Sequence, residues 1–278
     1  MSTTPDYFLQ AIAAAGLAPV KELNLQCDGK VHRFRVVGDK PGSNNGWYVL
    51  HSHPMLAGAF GSWKTGESHT WCEKRSDKPP TAAERAELQR QMKAAQEARA
   101  AELANVQATA RQRAAKLWAT ARPATNAHPY LQRKKIGAYG IRQLRDMLVI
   151  AARDVNGELH TLQFISPDGS KRFLTGGRIV GCYFAIGRPV DSLLLCEGLA
   201  TASTLHQATG RAVAVAFNCG NLVAVAKVLR MKFPAMRLIV CADNDFQTQG
   251  NPGVTHARAA ARAVGGFLAV PKFPEVQP

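Results

Sequence analysis

Apolar and polar positions follow different rhythms along this chain. From residue 191 onward, short apolar runs alternate with segments whose apolar residues recur every three to four positions. Ser192–Cys196, Ala212–Phe217, Arg237–Cys241 and Phe267–Val270 read as strands, with helices over Gly198–Thr209, Asn221–Met231 and Val254–Val264. Apolar strands separated by helices predict a parallel sheet. Residues 123–190 alternate differently: Met147–Ala151, His160–Ile165 and Ile179–Phe184 read as strands, and Asn156-Gly157 and Pro167-Asp168-Gly169 mark turns, which predicts antiparallel hairpins. Residues 81–121 hold no glycine or proline, and Thr81 and Glu84 form a capping box behind Pro79 and Pro80, so one long helix or two is expected. Its apolar face is thin and mostly alanine, as in a spacer packed on one side. Before it, a helix over 5–16, a strand over Lys30–Val37 and another over Trp47–Leu50, with the turn Gly42–Gly46 between the strands, suggest a small α/β unit. The expected organisation is therefore α+β followed by α/β: a small unit over 1–78, a helical spacer over 79–122, a basic β-rich subdomain over 123–190 and a parallel α/β domain over 191–278.

The 278 residues include 35 lysines and arginines against 20 aspartates and glutamates, a net charge of +15. An excess of this size attracts polyanions and points to a nucleic-acid partner, although solubility alone would also account for it. No run of 18 uncharged apolar residues offers a membrane span, and MSTTPDYFLQ lacks the basic and apolar regions of a secretory signal, so a cytoplasmic location is expected. The six cysteines form no C-x-x-C pair; Cys196, Cys219 and Cys241 lie in or beside apolar runs and read as core residues.

Glu197 follows the strand ending at Cys196, and Asp243 and Asp245 follow the strand ending at Cys241. In open α/β sheets, ligands bind at these strand ends. Three carboxylates there would make an oxygen-rich pocket for Mg²⁺ or Mn²⁺. The metals would activate a sugar hydroxyl and stabilise charge on a phosphate, with Glu197 also available as a general acid or base. The plainer reading is that acids after strands cap helices or start turns. Arg133, Lys134, Lys135, Arg142 and Arg145 cluster before the hairpins, where they suit phosphate contact with a single strand, or else a solvated face. Trp63, Trp71 and Trp118 are candidates for stacking on bases, with packing the commoner outcome.

The run Glu197-Gly-Leu-Ala-Thr-Ala202 resembles the E-G-[YL]-A-T-A signature of primases encoded by conjugative plasmids and satellite phages. Together with Ala242-Asp-Asn-Asp245 it resembles the Toprim domain shared by bacterial primases and topoisomerases. The resemblance implies metal ligation by Glu197, Asp243 and Asp245, a tight turn at Gly198, and a nucleotide loop over Asn218–Asn221 in which Gly220 permits close approach. Leu162–Ser166 and Gly169–Leu174, with Gly176-Gly177, resemble the basic strand pair before Toprim, which implies template or nucleotide contacts for Lys171, Arg172 and Arg178. The resemblance covers about residues 120–278, with a weaker likeness through Phe60–Gly66.

Two departures accompany it. The zinc module usual at the start of bacterial primases has only His51, His53, His69 and Cys72 as counterparts, in no familiar finger spacing, so zinc is not expected. The further acids usual after the fourth Toprim strand are not matched before Pro278, which suggests a piece of a larger primase or a site with fewer acids. The expected activity is metal-dependent synthesis of short RNA primers on single-stranded DNA, from ribonucleotides, beside a helicase fused or separate. The alternatives are a Toprim nuclease or strand-transfer enzyme and a non-catalytic single-stranded DNA-binding module.

Overall fold

The computed structural model describes residues 4–52, 56–73 and 81–271. They fall into two compact units, Met1–Ala104 and Asn105–Pro278, divided part-way along one helix.

In the first unit, helix α1 (Thr4–Ala14) precedes four antiparallel strands paired in sequential order: β1 (His32–Phe34), β2 (Gly46–His51), β3 (Ala57–Ser62) and β4 (Ser68–Cys72). Phe34, Tyr48, Leu50 and Phe60 form one core with Phe8 and Ile12 of α1. Trp47, Val49 and Ala59, together with Met92, Gln96 and Arg99 of helix α2 (Ala82–Thr120), bound a cavity of about 240 Å³. The sequence pattern predicts neither β3 nor β4. Strand β3 (AGAFGS) is nearly all small residues because its neighbours come close: a Cβ on Gly58 would lie 2.1 Å from the Val49 carbonyl oxygen, and one on Gly61 2.1 Å from that of Glu67.

The zinc candidates have separate surroundings. Burial pushes the His51 imidazole below its ordinary pKa, and its Nε2 is buried without a partner. His69 stacks on Phe60 at 5.2 Å and reaches Glu67 at 3.4 Å, and Cys72 is exposed. His53 lies outside the described residues. Trp71 packs edge-on against Phe8, and Trp63 lies under the Arg99 guanidinium at 4.7 Å.

The second unit opens with the last part of α2, which is a single helix of 39 residues. Then follow β5 (Arg122–Pro123), α3 (Pro129–Lys134), β6 (Arg142–Leu144), β7 (Met147–Arg153), β8 (Leu159–Ile165) and β9 (Lys171–Phe173), the strands pairing antiparallel in sequential order. The rest is β10 (Phe184–Ile186), β11 (Ser192–Cys196), α4 (Leu199–Thr209), β12 (Ala212–Val215), a 3₁₀ turn at Cys219–Asn221, α5 (Leu222–Lys232), β13 (Arg237–Cys241), α6 (Pro252–Ala263) and β14 (Phe267–Ala269). These strands form a second sheet in the order β10-β12-β11-β13-β14.

That sheet is mixed rather than wholly parallel, because β10 runs antiparallel to β12, with Phe184 opposite Val215. The strand expected over Ile179–Phe184 is therefore misplaced. The chain turns at Gly181 (φ 73°), and the buried Asn221 amide donates to the carbonyls of Ile179 and Cys182 while accepting from the Gly181 N–H. Those bonds hold the segment in a loop and deliver Phe184–Ile186 to the other sheet.

Both sheets are covered on both faces. Val149, Ala151, Leu162 and Phe164 pack against Ala114, Leu117 and Trp118 of α2. The opposite face, through Leu148, Ile150 and Ile165, meets Leu194, Cys196, Val213 and Val215 across a core shared with α4. Leu193, Leu195, Leu238 and Val240 point the other way, onto α5 and α6. The period-two alternation of strands thus places β11 between two cores, which explains its unbroken apolar run. Among the described residues no helix is long and apolar enough to cross a membrane.

Candidate active site

Three neighbouring strands, β12, β11 and β13, end at one edge of the second sheet, and their following residues form the site. Glu197 comes directly after β11, Asp243 and Asp245 just after β13, and the Cys219 turn shortly after β12. The three acids predicted from the sequence are brought to one place. Glu197 and Asp243 are half-buried, and Asp245 is exposed.

Their electrostatics are those of an under-neutralised acid cluster. Burial pushes the Glu197 carboxyl above its ordinary range, and the charges of Asp243 and Asp245 push it further; Lys171 and the Cys219 backbone N–H pull it back. Burial likewise raises Asp243, with Asp245 adding to it, against the Thr201 hydroxyl, which donates to Asp243 Oδ1 at 3.2 Å, and against Lys171. Holding unpaired carboxylates together out of water is costly unless a cation joins them. The donor set is all hard oxygen, which fits Mg²⁺ or Mn²⁺. Among the described residues, the one trio of potential ligands within 4.8 Å of each other is Asp154 and Glu158 of the β7–β8 turn with His160 of β8. The acids at the strand ends are therefore spread more widely than a cage closed on one ion, and their remaining coordination would come from water and substrate oxygens. At the β7–β8 turn the ligand atoms already have partners: Arg178 donates to Asp154 at 3.1 Å, and Arg111 pairs with Glu158.

The Asp-Asn-Asp loop is held by residues not singled out from the sequence. Asn251, the N-cap of α6, accepts from the Asp245 N–H at 3.0 Å and the Val254 N–H, and donates to Asn244 Oδ1 at 2.8 Å. Asn244 in turn donates to the Pro271 carbonyl. Gly253 follows, and a Cβ there would lie 2.2 Å from the Asp243 carbonyl oxygen and 2.9 Å from Asp245 Oδ2. Only glycine allows the positive end of α6 to sit this close to the aspartates. Asn251-Pro252-Gly253 is a cap, a first-turn proline and a glycine, a signal present in the sequence.

The other predicted contacts divide. Lys171 reaches the site: its Nζ lies 3.9 Å from where a Gly198 Cβ would be. Gly198 itself has φ −114°, an extended conformation open to any residue, so it is the α4 N-cap rather than a strained turn. Gly220 sits in the 3₁₀ turn, where a Cβ would come no closer than 3.4 Å to Asn218 Oδ1. Arg172 points to the opposite face of β9, over the Phe164 ring at 5.1 Å. Asn221 is buried and fully bonded, donating also to the Ala216 carbonyl at 2.9 Å, so its side chain is a structural tie and cannot face a nucleotide. Arg178 is held by Asp154 and His160.

In the basic cluster, Lys134, Lys135 and Arg145 are exposed, and Arg133 is exposed while donating to the Pro167 carbonyl at 3.0 Å. Arg142 is drawn inward: it stacks on Trp118 at 4.5 Å and donates to the Trp118 and Ala121 carbonyls at the end of α2, so it caps a helix instead of facing solvent.

Residues 192–275 match the family model described as the Toprim domain. This stretch is similar to Toprim domains. It contains Glu197, Asp243 and Asp245, and all four helix-linked strands from β11 to β14. Over 98% of its length, the chain is 36% identical to each of two curated relatives, both described as DNA primase TraC of Escherichia coli. It spans only 27% of one and 20% of the other. Among solved structures, the DnaG primase catalytic domain bound to ssDNA matches with a TM-score of 0.43 and 14% identity, over 63% of this chain and 74% of that one. The primase fragment of the bacteriophage T7 primase-helicase protein matches with a TM-score of 0.41 and 14% identity, over 55% and 66%.

Proposed function

We propose that this chain is the catalytic part of a DNA primase, joining ribonucleotides into short primers on a single-stranded DNA template with Mg²⁺ or Mn²⁺. The observation that carries this is the under-neutralised acid cluster of a Toprim domain, met by Lys171 from the antiparallel sheet of a strongly basic unit. The 36% identity to proteins described as DNA primase supports it. In this reading residues 191–278 are the catalytic module and 123–190 the platform for template and nucleotide, working in the cytoplasm beside a helicase, fused or separate.

Glu197, Asp243 and Asp245 would hold the metal. When bound, it supplies charge neutralisation of the reacting phosphate and activation of the attacking sugar hydroxyl. Thr201 and the Cys219 N–H orient the carboxylates beforehand, each donating to one oxygen and leaving the others free. Asn251 and Gly253 hold the Asp243–Asp245 backbone so that both carboxylates stay on the same side as Glu197. Lys171 brings a mobile positive charge to the place where triphosphate charge would gather. Lys134, Lys135 and Arg145 offer sequence-neutral contacts to the template backbone.

The test is primer synthesis on single-stranded DNA with labelled ribonucleotides and Mg²⁺ or Mn²⁺. Product is expected from the wild type and not from Glu197→Gln or Asp243→Asn. Variants that prime as well as the wild type would overturn the assignment.

A further inference from the structure

Phe217 has φ +72°, a left-handed conformation that a bulky side chain rarely adopts, and its ring is buried in the core between the two sheets. Non-glycine residues in this region are strained and persist where the surroundings impose them. The residue stands at the end of β12, immediately before the Asn218–Asn221 turn that presents the Cys219 N–H to Glu197. The Phe173 ring of β9 meets the Phe217 ring edge-on, with centroids 5.6 Å apart. Residues two apart on a strand share a face, so Phe173 and Lys171 point the same way, while Arg172 points away over Phe164.

We propose that Phe173 and Phe217 are positioning residues for the acid cluster: their edge-on contact ties β9 to the turn after β12 and so holds Lys171 beside Glu197 and Asp243. Strand β9 is short and pairs with β8 alone, through three residue pairs, so its backbone hydrogen bonds leave its far side free to swing. The phenyl pair closes that side. A left-handed residue at 217 turns the chain sharply enough to put a ring under β9 and, two residues later, an N–H on Glu197. Phenylalanine serves where glycine would satisfy the backbone, because glycine has no ring to make the contact. Lys171 is exposed and has no carboxylate within ion-pairing distance among the described residues, so its reach to the site depends on where β9 is held. This deepens the primase reading, whose acid site it takes as given, but its test does not depend on primer synthesis.

The readout is Mn²⁺ affinity, followed by electron paramagnetic resonance on the full chain without nucleotide or DNA. A lysine held at the acids opposes a cation there, so Lys171→Met should bind Mn²⁺ about three- to fivefold more tightly than wild type. Phe173→Leu should shift affinity the same way by loosening the lysine, and should add nothing in the Lys171→Met background. A general packing defect would weaken Mn²⁺ binding, and would do so whether or not Lys171 is present. Phe173 is only half-buried, so its leucine variant should keep the fold, and the melting temperature checks that. Phe217→Leu, which keeps the left-handed strain and loses the edge contact, should behave like Phe173→Leu. Unchanged or weakened Mn²⁺ binding in Phe173→Leu, or an equal effect of that substitution with and without Lys171, would overturn the proposal. In priming assays Lys171→Met and Phe173→Leu should lower the rate with melting temperature nearly constant. A wild type that binds Mn²⁺ with this pattern yet makes no primer would count against the primase reading and leave the positioning role standing.

Discussion

Residues 1–104 hold 13 lysines and arginines against 11 aspartates and glutamates, whereas residues 105–278 hold 22 against 9. The first unit is close to neutral, and almost all of the chain's positive charge belongs to the second. The acids differ as much. In the first unit Asp28 and Asp39 are matched, by His32 at 2.8 Å and Lys64 at 3.1 Å. In the second, Glu197 and Asp243 sit at strand ends with their carboxyls raised first by burial, then by Asp243 and Asp245 for Glu197 and by Asp245 for Asp243. The whole-chain charge of +15 therefore describes one unit, and the site lies in that unit. Polyanion binding and metal chemistry should both be lost through changes there and be nearly indifferent to equivalent changes in residues 1–104.

The sharpest separation should come from the acids. Glu197→Gln or Asp243→Asn should cut priming by about 10³-fold, a loss typical of removing a group that stabilises charge in the transition state. Asp28→Asn in the first unit should change the rate less than about twofold, since an exposed ion pair contributes little. Comparable losses from both would erase the distinction.

Next in size is Asn221. Its replacement by leucine strips three interior carbonyls and one N–H of a partner, and should lower stability by about 3 kcal/mol in urea unfolding. Asn45→Leu in the first unit, which removes one hydrogen bond to Asp39, should cost about 1 kcal/mol. The contrast measures how much of the second unit's fold depends on a residue whose side chain sits just behind the site.

Replacing Lys134, Lys135 and Arg145 together by alanine should reduce the salt dependence of single-stranded DNA binding by about 2 in log–log slope. The matching triple change at Lys21, Lys30 and Lys40 should leave the slope unaltered. Fluorescence anisotropy across a salt series checks both.

The smallest effect is on the metal-free fold. A carboxyl whose folded pKa is raised binds its proton more readily folded than unfolded. The penalty begins as pH rises through the unfolded value and is complete above the folded one, so stability falls over that interval. At neutral pH, Glu197→Gln should therefore stabilise metal-free protein by about 0.5 kcal/mol, a modest gain because water screens a half-buried group. Adding Mg²⁺ should reverse the order of the two melting temperatures. An acid variant in the first unit should show no such reversal.

How far these features could be read from sequence follows from local physics. Ser192–Cys196 and Arg237–Cys241 are legible to the residue, because strands buried on both faces must be apolar throughout. Their ends mark the acids, and so the core of the site is legible too. Strand β3 is not, since close backbone approach selects glycine and alanine and erases the usual β signal. The true partner of Phe184–Ile186 depends on Asn221 gathering carbonyls from 42 and 39 residues away, which no window along the chain contains. Arg142 and Asn221 are polar residues beside candidate contact segments, and sequence alone does not distinguish a side chain facing a substrate from one turned inward to the backbone. The positive φ of Phe217 carries no compositional mark, because it is imposed by packing.

Strands β7 and β8 are enclosed by α2 on one side and by the shared core with α4 on the other. For an amide in their centre, meeting solvent requires an entire layer to lift. On the timescale of hydrogen exchange, the middle of this hairpin should be the slow clock of residues 105–278, opening only as that unit unfolds globally. The loop from Asn244 to Gly250 should exchange far earlier, so the acids of the candidate site would sit on the boundary between the slow and fast parts of the unit.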